Sequence, residues 1–136
     1  MIICMVGDHC PDFAIELADE KMNEAEKNLR LRSVPFFIWS NQGLDAEEVE
    51  MISMNMLIPK LLSVAGVQMS PYYQYLYDLS VDVPVTTAYN TYFDVKGNAY
   101  SYEEDSEYRD KVRQYLYMEY NNLKSSGRRD ELFEVN

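Results

Sequence analysis

Two short apolar runs stand out in the first third of the chain. Ile2 to Val6 is continuously apolar and is closed by Gly7, and Val34 to Ser40 contains a proline only near its beginning. A continuous apolar run of this length is typical of a strand buried on both faces, and such strands belong to parallel sheets. Proline is tolerated at a strand's first positions because its missing N–H does least harm there. The pattern predicts two buried strands.

Two helices are predicted in the first half of the chain. Residues 20–30 lie in a polar stretch rich in Glu, Lys and Arg, which favours a helix on the surface. Residues 55–65 carry apolar side chains at helical spacing. Ser53 or Asn55 is the candidate N-cap of this second helix, and Gly66 is its stop signal.

Two further helices are predicted in the second half. Ser70 followed by Pro71 is a start signal, since a hydroxyl can cap the helix and proline suits its first position. A final helix over about 108–124 precedes a charged tail and has an amphipathic pattern. The apolar faces of these helices are formed by Tyr72, Tyr75, Leu76 and Leu79 in the first, and by Val112, Tyr115, Leu116, Tyr120 and Leu123 in the second.

The segment TYFDVKGNAYSY, residues 91–102, has a different period. Polar and apolar residues alternate on either side of Lys96-Gly97-Asn98, which predicts a small antiparallel hairpin that turns at the glycine. No internal repeat or low-complexity linker divides the chain. We therefore predict one α/β domain, or a piece of one, over residues 1–136.

Composition excludes several classes of function. The chain has 12 basic and 23 acidic residues and a formal charge of −11, which repels nucleic acids and anionic membranes unless a local patch overrides it. The hydrophobic share of 47% predicts a folded chain. Cys4 and Cys10 are too few for a disulfide framework and lack the spacing of a metal finger, so we expect free thiols, with Cys4 in the core.

Asp8 and His9 directly follow the first apolar run, and His9 is the only histidine. Ligands of open α/β sheets bind beyond the carboxyl ends of the strands. Neighbouring strand residues point to opposite faces, so two convergent side chains need a departure from strand geometry, which Gly7 would allow. A carboxylate with an imidazole suits manganese, zinc or iron better than calcium. On these residues alone, a turn aspartate beside a solvent-facing or hydrogen-bonded histidine is the more common case.

Other candidate residues have simpler interpretations. The tyrosines at 72, 73, 75 and 77, and those at 115, 117 and 120, could form stacking platforms, but tyrosines at helical spacing are more often half-buried packing. Trp39 is expected in the core, and Asn41 is a weaker candidate for a crevice at the end of the second strand. The acidic residues 103–105 could bind cations, but they precede a helix, and we interpret them as a cap that complements its dipole.

Three segments together resemble one protein family. IICMVGDH at 2–9, SVPFFIWSN at 33–41 and MNMLIPKLLSVAG at 54–66 follow one another as in the C-terminal part of the sulfatase-like branch of the alkaline phosphatase superfamily. The likeness is greatest to lipoteichoic acid synthase and related phosphoglycerol transferases. It runs from Ile2 to about Leu79 and extends weakly through DVKGNAY to the last helix. The implied fold is the C-terminal portion of an α/β/α sandwich.

The resemblance also implies a metal site. In that family an aspartate and a histidine at the end of this strand bind the catalytic metal, and the match places these roles on Asp8 and His9. The implied ion is manganese, with magnesium, zinc and calcium as alternatives. The family's threonine nucleophile and its other ligands precede this strand. The resemblance therefore implies the C-terminal segment of a longer enzyme that is inactive alone.

The implied parent enzyme transfers phosphoglycerol during cell-envelope polymer synthesis, or hydrolyses sulfate esters. His9 favours the transferase branch, because true sulfatases commonly have Asp-Asn here. Its partners would be a phosphoglycerol-bearing lipid or envelope polymer, and it would be anchored in the cell membrane with an extracytoplasmic catalytic domain. The chain itself lacks an apolar run of ~20 residues, so we expect a soluble piece that self-associates through uncovered apolar faces. The alternative is a non-catalytic interaction domain that keeps a sulfatase-like sheet.

Overall fold

The two apolar runs pair with each other. β1 (Ile2–Val6) and β2 (Phe36–Ser40) form an antiparallel ribbon in which Ile2 lies opposite Ser40. The expectation of parallel strands was therefore wrong, because an apolar run indicates burial but not the direction of the neighbouring strand. The structure is a computed structural model that describes residues 1–9, 22–124 and 126–135.

The ribbon is also less buried than predicted. Of its ten strand residues, Ser40 alone is buried, so the prediction of two buried strands was wrong. Trp39 is 46% exposed, which contradicts its expected place in the core. Cys4 is a half-buried free thiol, and Cys10 lies outside the described residues. The large apolar side chains exposed on one face of the ribbon are Ile3, Met5, Phe37 and Trp39.

The chain divides into two compact units, residues 1–46 and 47–136, and each is described by itself. The first unit holds the ribbon and α1 (Glu24–Leu31). This helix agrees with the predicted surface helix over 20–30 as far as the described residues reach. It ends with Arg30 in its last turn, where a cation complements the helix dipole.

The second unit contains two of the predicted helices with their predicted end signals. α2 (Met54–Ala65) ends at Gly66, whose φ of 64° lies in the left-handed region that glycine reaches without a steric cost. α3 (Pro71–Asp82) begins after Ser70, whose Oγ accepts a hydrogen bond from the N–H of Tyr73 at 3.4 Å. The prediction that Gly66 ends one helix and that Ser70-Pro71 begins the next is therefore confirmed.

The last helix, α4 (Arg109–Asn122), lies within the predicted range of 108–124. Val112 and Tyr115 are buried as predicted, but Tyr120 and Leu123 are 63% and 82% exposed. The predicted apolar face was therefore wrong in its second half. Tyr120 lies about 140° around the helix from Tyr115, and Leu123 follows the last helical residue.

A three-stranded antiparallel sheet completes the second unit. β4 (Thr91–Phe93) and β5 (Ala99–Ser101) form the predicted hairpin, and Gly97 in its turn has a φ of 81°. β3 (Val85–Thr86) pairs with β4 and was not predicted, because two residues are too few to show alternation. The described residues thus form a mixed α/β structure with four helices and two small antiparallel sheets.

The core of the second unit lies between its helices and the sheet. Tyr92 stacks on Tyr100 and Tyr102 with ring centroids 5.3 and 5.9 Å apart. Phe133 follows a short 3-10 turn and packs on Tyr72 at 5.1 Å. The buried members of this core are Met56, Tyr72, Leu76, Leu79, Val83, Tyr92, Tyr108, Val112 and Tyr115.

Candidate metal centre

Asp8 and His9 lie just beyond the carboxyl end of β1. His9 Nε2 is 3.6 Å from Asp8 Oδ2, so the carboxylate and the imidazole converge although they belong to neighbouring residues. Both side chains are open to solvent, with 73% of His9 and 94% of Asp8 exposed. The pair is therefore accessible to an ion or to another group from outside.

Gly7 holds this end of the ribbon together, for a different reason from the one expected. Its N–H donates to the carbonyl of Pro35 at 2.8 Å, which extends the pairing by one residue. A Cβ on Gly7 would lie 2.9 Å from Cβ of Val34, closer than two carbon atoms normally approach. Its φ is outside the left-handed region. The position thus needs the absence of a side chain and not an unusual backbone angle.

Two donors 3.6 Å apart fit one divalent cation. Metal bonds of about 2.0–2.2 Å to an imidazole nitrogen and a carboxylate oxygen can bridge that separation, since two such bonds together span roughly 4 Å. Within the described part of the chain, no group of three or more His, Cys, Asp or Glu side chains could hold a metal. Asp8 and His9 could therefore supply only part of a metal site, and its other ligands would have to come from outside the described residues.

The antiparallel ribbon separates Asn41 from this pair. The backbone N–H of Asn41 donates to the carbonyl of Met1 at 3.2 Å, and its Oδ1 accepts from the N-terminal ammonium at 2.6 Å. At about 3.3 Å per residue, the ends of the ribbon are roughly 20 Å apart. Asn41 therefore lies at the opposite end of the ribbon from Asp8 and does not join the candidate metal pair.

The two tyrosine clusters differ in burial. Tyr72 is buried and Tyr73, Tyr75 and Tyr77 are half-buried, as expected for packing residues. Burial and the hydrogen bond to Glu119 raise the pKa of Tyr72 well above its usual value. In the second cluster Tyr115 is buried, but the tyrosines at 117 and 120 are exposed, so the packing interpretation was wrong for these two.

Asp94 is a buried acidic residue that the sequence analysis did not single out. Burial opposes its ionisation, but hydrogen bonds from Asn98, the Lys96 N–H and the Tyr100 hydroxyl outweigh it and hold the pKa below its usual value. The aspartate beginning the DVKGN turn was the available signal. Because its oxygens already accept four hydrogen bonds, Asp94 is a turn-forming residue.

The acidic residues 103–105 also bind within the chain. Asp105 pairs with Arg109 in the first turn of α4 at 3.2 Å, and Glu104 accepts a hydrogen bond from the N–H of Ser101 at 3.2 Å. The N-cap of α4 is Tyr108, and no side chain caps the helix there. The acidic residues thus lie near the start of the helix, but the prediction that they form its cap was wrong.

A groove of about 410 Å³ lies beside the hairpin turn of the second unit. Val49, Ile52, Val81 and Phe93 supply apolar walls, and Lys60 stands at the groove in an ion pair with Glu47 at 2.9 Å. That ion pair neutralises Lys60, and the other charged residues that line the groove are Glu48, Glu50, Asp94 and Lys96. It contains neither member of the candidate metal pair.

Comparisons with protein-family models, with curated proteins and with solved structures found no match to the chain. The likeness of three segments to the sulfatase-like family therefore stays a prediction. Among the helices of the described residues, none has the length and the apolar character required to cross a membrane.

Proposed function

We propose that the chain is a segment of a metal-dependent, sulfatase-like phosphoglycerol transferase, with Asp8 and His9 as ligands of a divalent cation. The observation that supports this proposal is the convergence of the two donors, 3.6 Å apart, at the open end of the ribbon. The order of the three family-like segments supports the same assignment. The alkaline phosphatase-like sandwich as the parent fold is part of this proposal.

The proposed roles follow from the chemistry of the two side chains. Asp8 contributes a negative charge and His9 a neutral nitrogen donor, a combination that manganese accepts more readily than calcium does. When bound, such a cation neutralises charge on a phosphoryl group and lowers the pKa of a coordinated hydroxyl. The exposure of both side chains leaves room for further ligands and for a substrate. We propose that the nucleophile lies outside the family-like segments and that the chain alone is not catalytic.

The substrate class and location belong to the same proposal. A phosphoglycerol-bearing lipid or envelope polymer would be the substrate, and sulfate esters are the alternative. The parent enzyme would act on the outer side of a cell membrane.

Turnover of a phosphodiester tests this function. The assay uses the proposed parent polypeptide, which contains this chain as a segment, and titrates it with Mn²⁺. Asp8→Ala and His9→Ala should each lower turnover by at least about a hundredfold, because a catalytic ion loses a direct ligand. Asp45→Ala, which removes an exposed carboxylate of the same unit, is the control. Equal turnover in all four proteins would refute the assignment.

The exposed apolar face of the ribbon favours a second candidate, a non-catalytic interaction domain. Phe37 and Trp39 are 50% and 46% exposed, and neither strand carries a charged residue. Contiguous apolar surface of this kind is typical of an interaction site. We expect the chain to self-associate in sedimentation experiments and Trp39→Ser to weaken this by about tenfold. A monomer at high concentration would contradict that expectation.

A further inference from the structure

The side of α4 that faces away from the core carries a stripe of basic and aromatic residues. Arg113, Tyr117 and Tyr120 are spaced by four and three residues, which places them on one helix face, and Lys124 follows the end of α4 and lies over the ring of Tyr120. Tyr117 is 59% exposed, and Leu123 beside the stripe is the most exposed of the large apolar residues described. We call residues 113, 117, 120, 123 and 124 the α4 patch.

The two cations of the α4 patch are not neutralised by a described carboxylate. The four other cations between 109 and 129 each form an ion pair with an acidic side chain. Instead, Cζ of Arg113 lies 5.5 Å from the ring centroid of Tyr117, and its Nε donates a hydrogen bond to the Tyr117 hydroxyl at 2.8 Å. Lys124 Nζ lies 5.0 Å from the ring centroid of Tyr120. The patch is therefore locally positive on an acidic chain, which favours an anionic partner.

Of the two acidic residues of α4, Asp110 lies one turn before Arg113 and reduces the positive charge at that end of the stripe, whereas Glu119 does not face the stripe. Glu119 accepts a hydrogen bond from the hydroxyl of Tyr72, which belongs to the core. Its carboxylate therefore points towards α3 and away from the stripe. At physiological ionic strength the Debye length is about 8 Å, so acidic groups on distant surfaces repel a partner of the patch only weakly.

The geometry distinguishes among anionic partners. A base that stacked on Tyr117 or Tyr120 would compete with the cation that already covers the ring. Contact with a polar nucleic-acid backbone does not stabilise an exposed leucine, whereas transfer of its side chain from water into an apolar layer is favourable. Phenols prefer a boundary between water and apolar material, and Lys and Arg reach polar headgroups from the same depth.

We propose that the α4 patch binds the interfacial region of a bilayer that contains anionic lipid. Leu123 would enter the acyl boundary, Tyr117 and Tyr120 would lie at the headgroup level, and Arg113 and Lys124 would meet the anionic headgroups. This surface shares no residue with the metal pair and goes beyond the proposed enzymatic function. With only two cations, binding is weak and falls as salt is raised.

Co-sedimentation with vesicles tests the proposal on the whole chain. Vesicles of phosphatidylcholine alone are compared with vesicles that contain equal parts of phosphatidylcholine and phosphatidylglycerol. We expect binding to the anionic vesicles only. Lys124→Gln should lower the partition coefficient by about fivefold, the effect of one cation near an anionic surface. Leu123→Ser should lower it further by removing the apolar contact.

Two matched variants serve as controls. Lys96→Gln removes an exposed lysine from the hairpin turn and changes the net charge equally, and Val95→Ser removes an exposed apolar side chain from the same turn. Each should change the partition coefficient by less than about twofold. Equal losses in Lys96→Gln and Lys124→Gln would overturn the proposal, as would equal binding to both vesicle types or no binding at low salt. The proposal would also be overturned if poly(U) displaced the protein from the vesicles and if Lys124→Gln and Leu123→Ser weakened binding to poly(U). That result would favour a nucleic-acid surface.

Discussion

The two units of the chain differ in what covers their apolar side chains. In residues 47–136 three helices and a sheet enclose a core, and all the buried apolar side chains among the described residues belong to this unit. In residues 1–46 the ribbon is at least as apolar in sequence, yet its side chains alternate between half-buried and exposed. An apolar segment is stabilised by burial, but it becomes buried only if enough neighbouring helices or strands pack against it.

The same difference extends to polar groups. In the second unit, Asn55 Nδ2 donates to the hydroxyls of Thr86 and Tyr115 at 3.0 Å each, and Asp94 accepts four hydrogen bonds. In the first unit, Asp8 and His9 contact each other at an open end. The second unit uses these polar side chains to join its elements, whereas Asp8 and His9 are largely exposed to solvent.

Truncation of a core residue should have the largest effect. Leu76→Ala in α3 should lower the unfolding free energy of the second unit by about 2–5 kcal/mol, because it leaves a cavity in an enclosed core. Phe37→Ala in the ribbon should cost the first unit about 1 kcal/mol or less, since half of its surface is already exposed. Hydrogen exchange resolved by peptide along a urea series measures both. Equal losses would contradict the contrast between the units.

Asp94→Asn should lower the stability of the second unit by about 1–3 kcal/mol near neutral pH, because charge-assisted hydrogen bonds to the turn are lost. The folded-state pKa of Asp94 is lowered from 3.8, so its contribution is full above that value and disappears as the pH falls through the lower, folded-state pKa. The difference between wild type and variant should therefore shrink in strong acid.

The measurement for Asp94 is urea unfolding of both proteins by circular dichroism, at neutral pH and in a series of acidic buffers. Asp78→Asn is the control, because Asp78 is exposed on α3 and accepts one hydrogen bond from Gln74. Its effect should stay within about 0.5 kcal/mol. A loss for Asp94→Asn that does not depend on pH would rule out the ionised carboxylate as the cause.

Gly7→Ala should destabilise the ribbon by about 1–2 kcal/mol, because the added Cβ meets Val34 at 2.9 Å. The cost should fall in a Val34→Gly background, where the nearest atom is absent. Hydrogen exchange of the β1 amides reports the change. An equal cost in both backgrounds would show that the close contact with Val34 is not the reason for a glycine there.

The features that sequence analysis predicted correctly are those with a local cause. Ser70-Pro71 begins α3, Gly66 ends α2 and Gly97 turns the hairpin, because each depends on one residue's backbone or side-chain chemistry. Strand direction, the burial of Trp39 and the exposure of Tyr120 depend on which element lies opposite. Such long-range pairing leaves no mark in a short apolar run.

The candidate site shows the same division. The position of Asp8 and His9 after a strand was predictable, since Gly7 closes the apolar run. Their separation from Asn41 was not, because it follows from antiparallel pairing of strands that are about 30 residues apart in sequence. Asp94 was missed because its role depends on the fold of the turn around it.

The central claim is that Asp8 and His9 together bind a divalent cation, and a Mn²⁺ titration of the chain tests it most directly. Free Mn²⁺ is read from its electron paramagnetic resonance signal for wild type, Asp8→Asn, His9→Ala and the control Asp45→Asn. We predict that both site variants weaken binding by about tenfold and that the control matches wild type within about twofold. Equal affinity in all four proteins would contradict the claim.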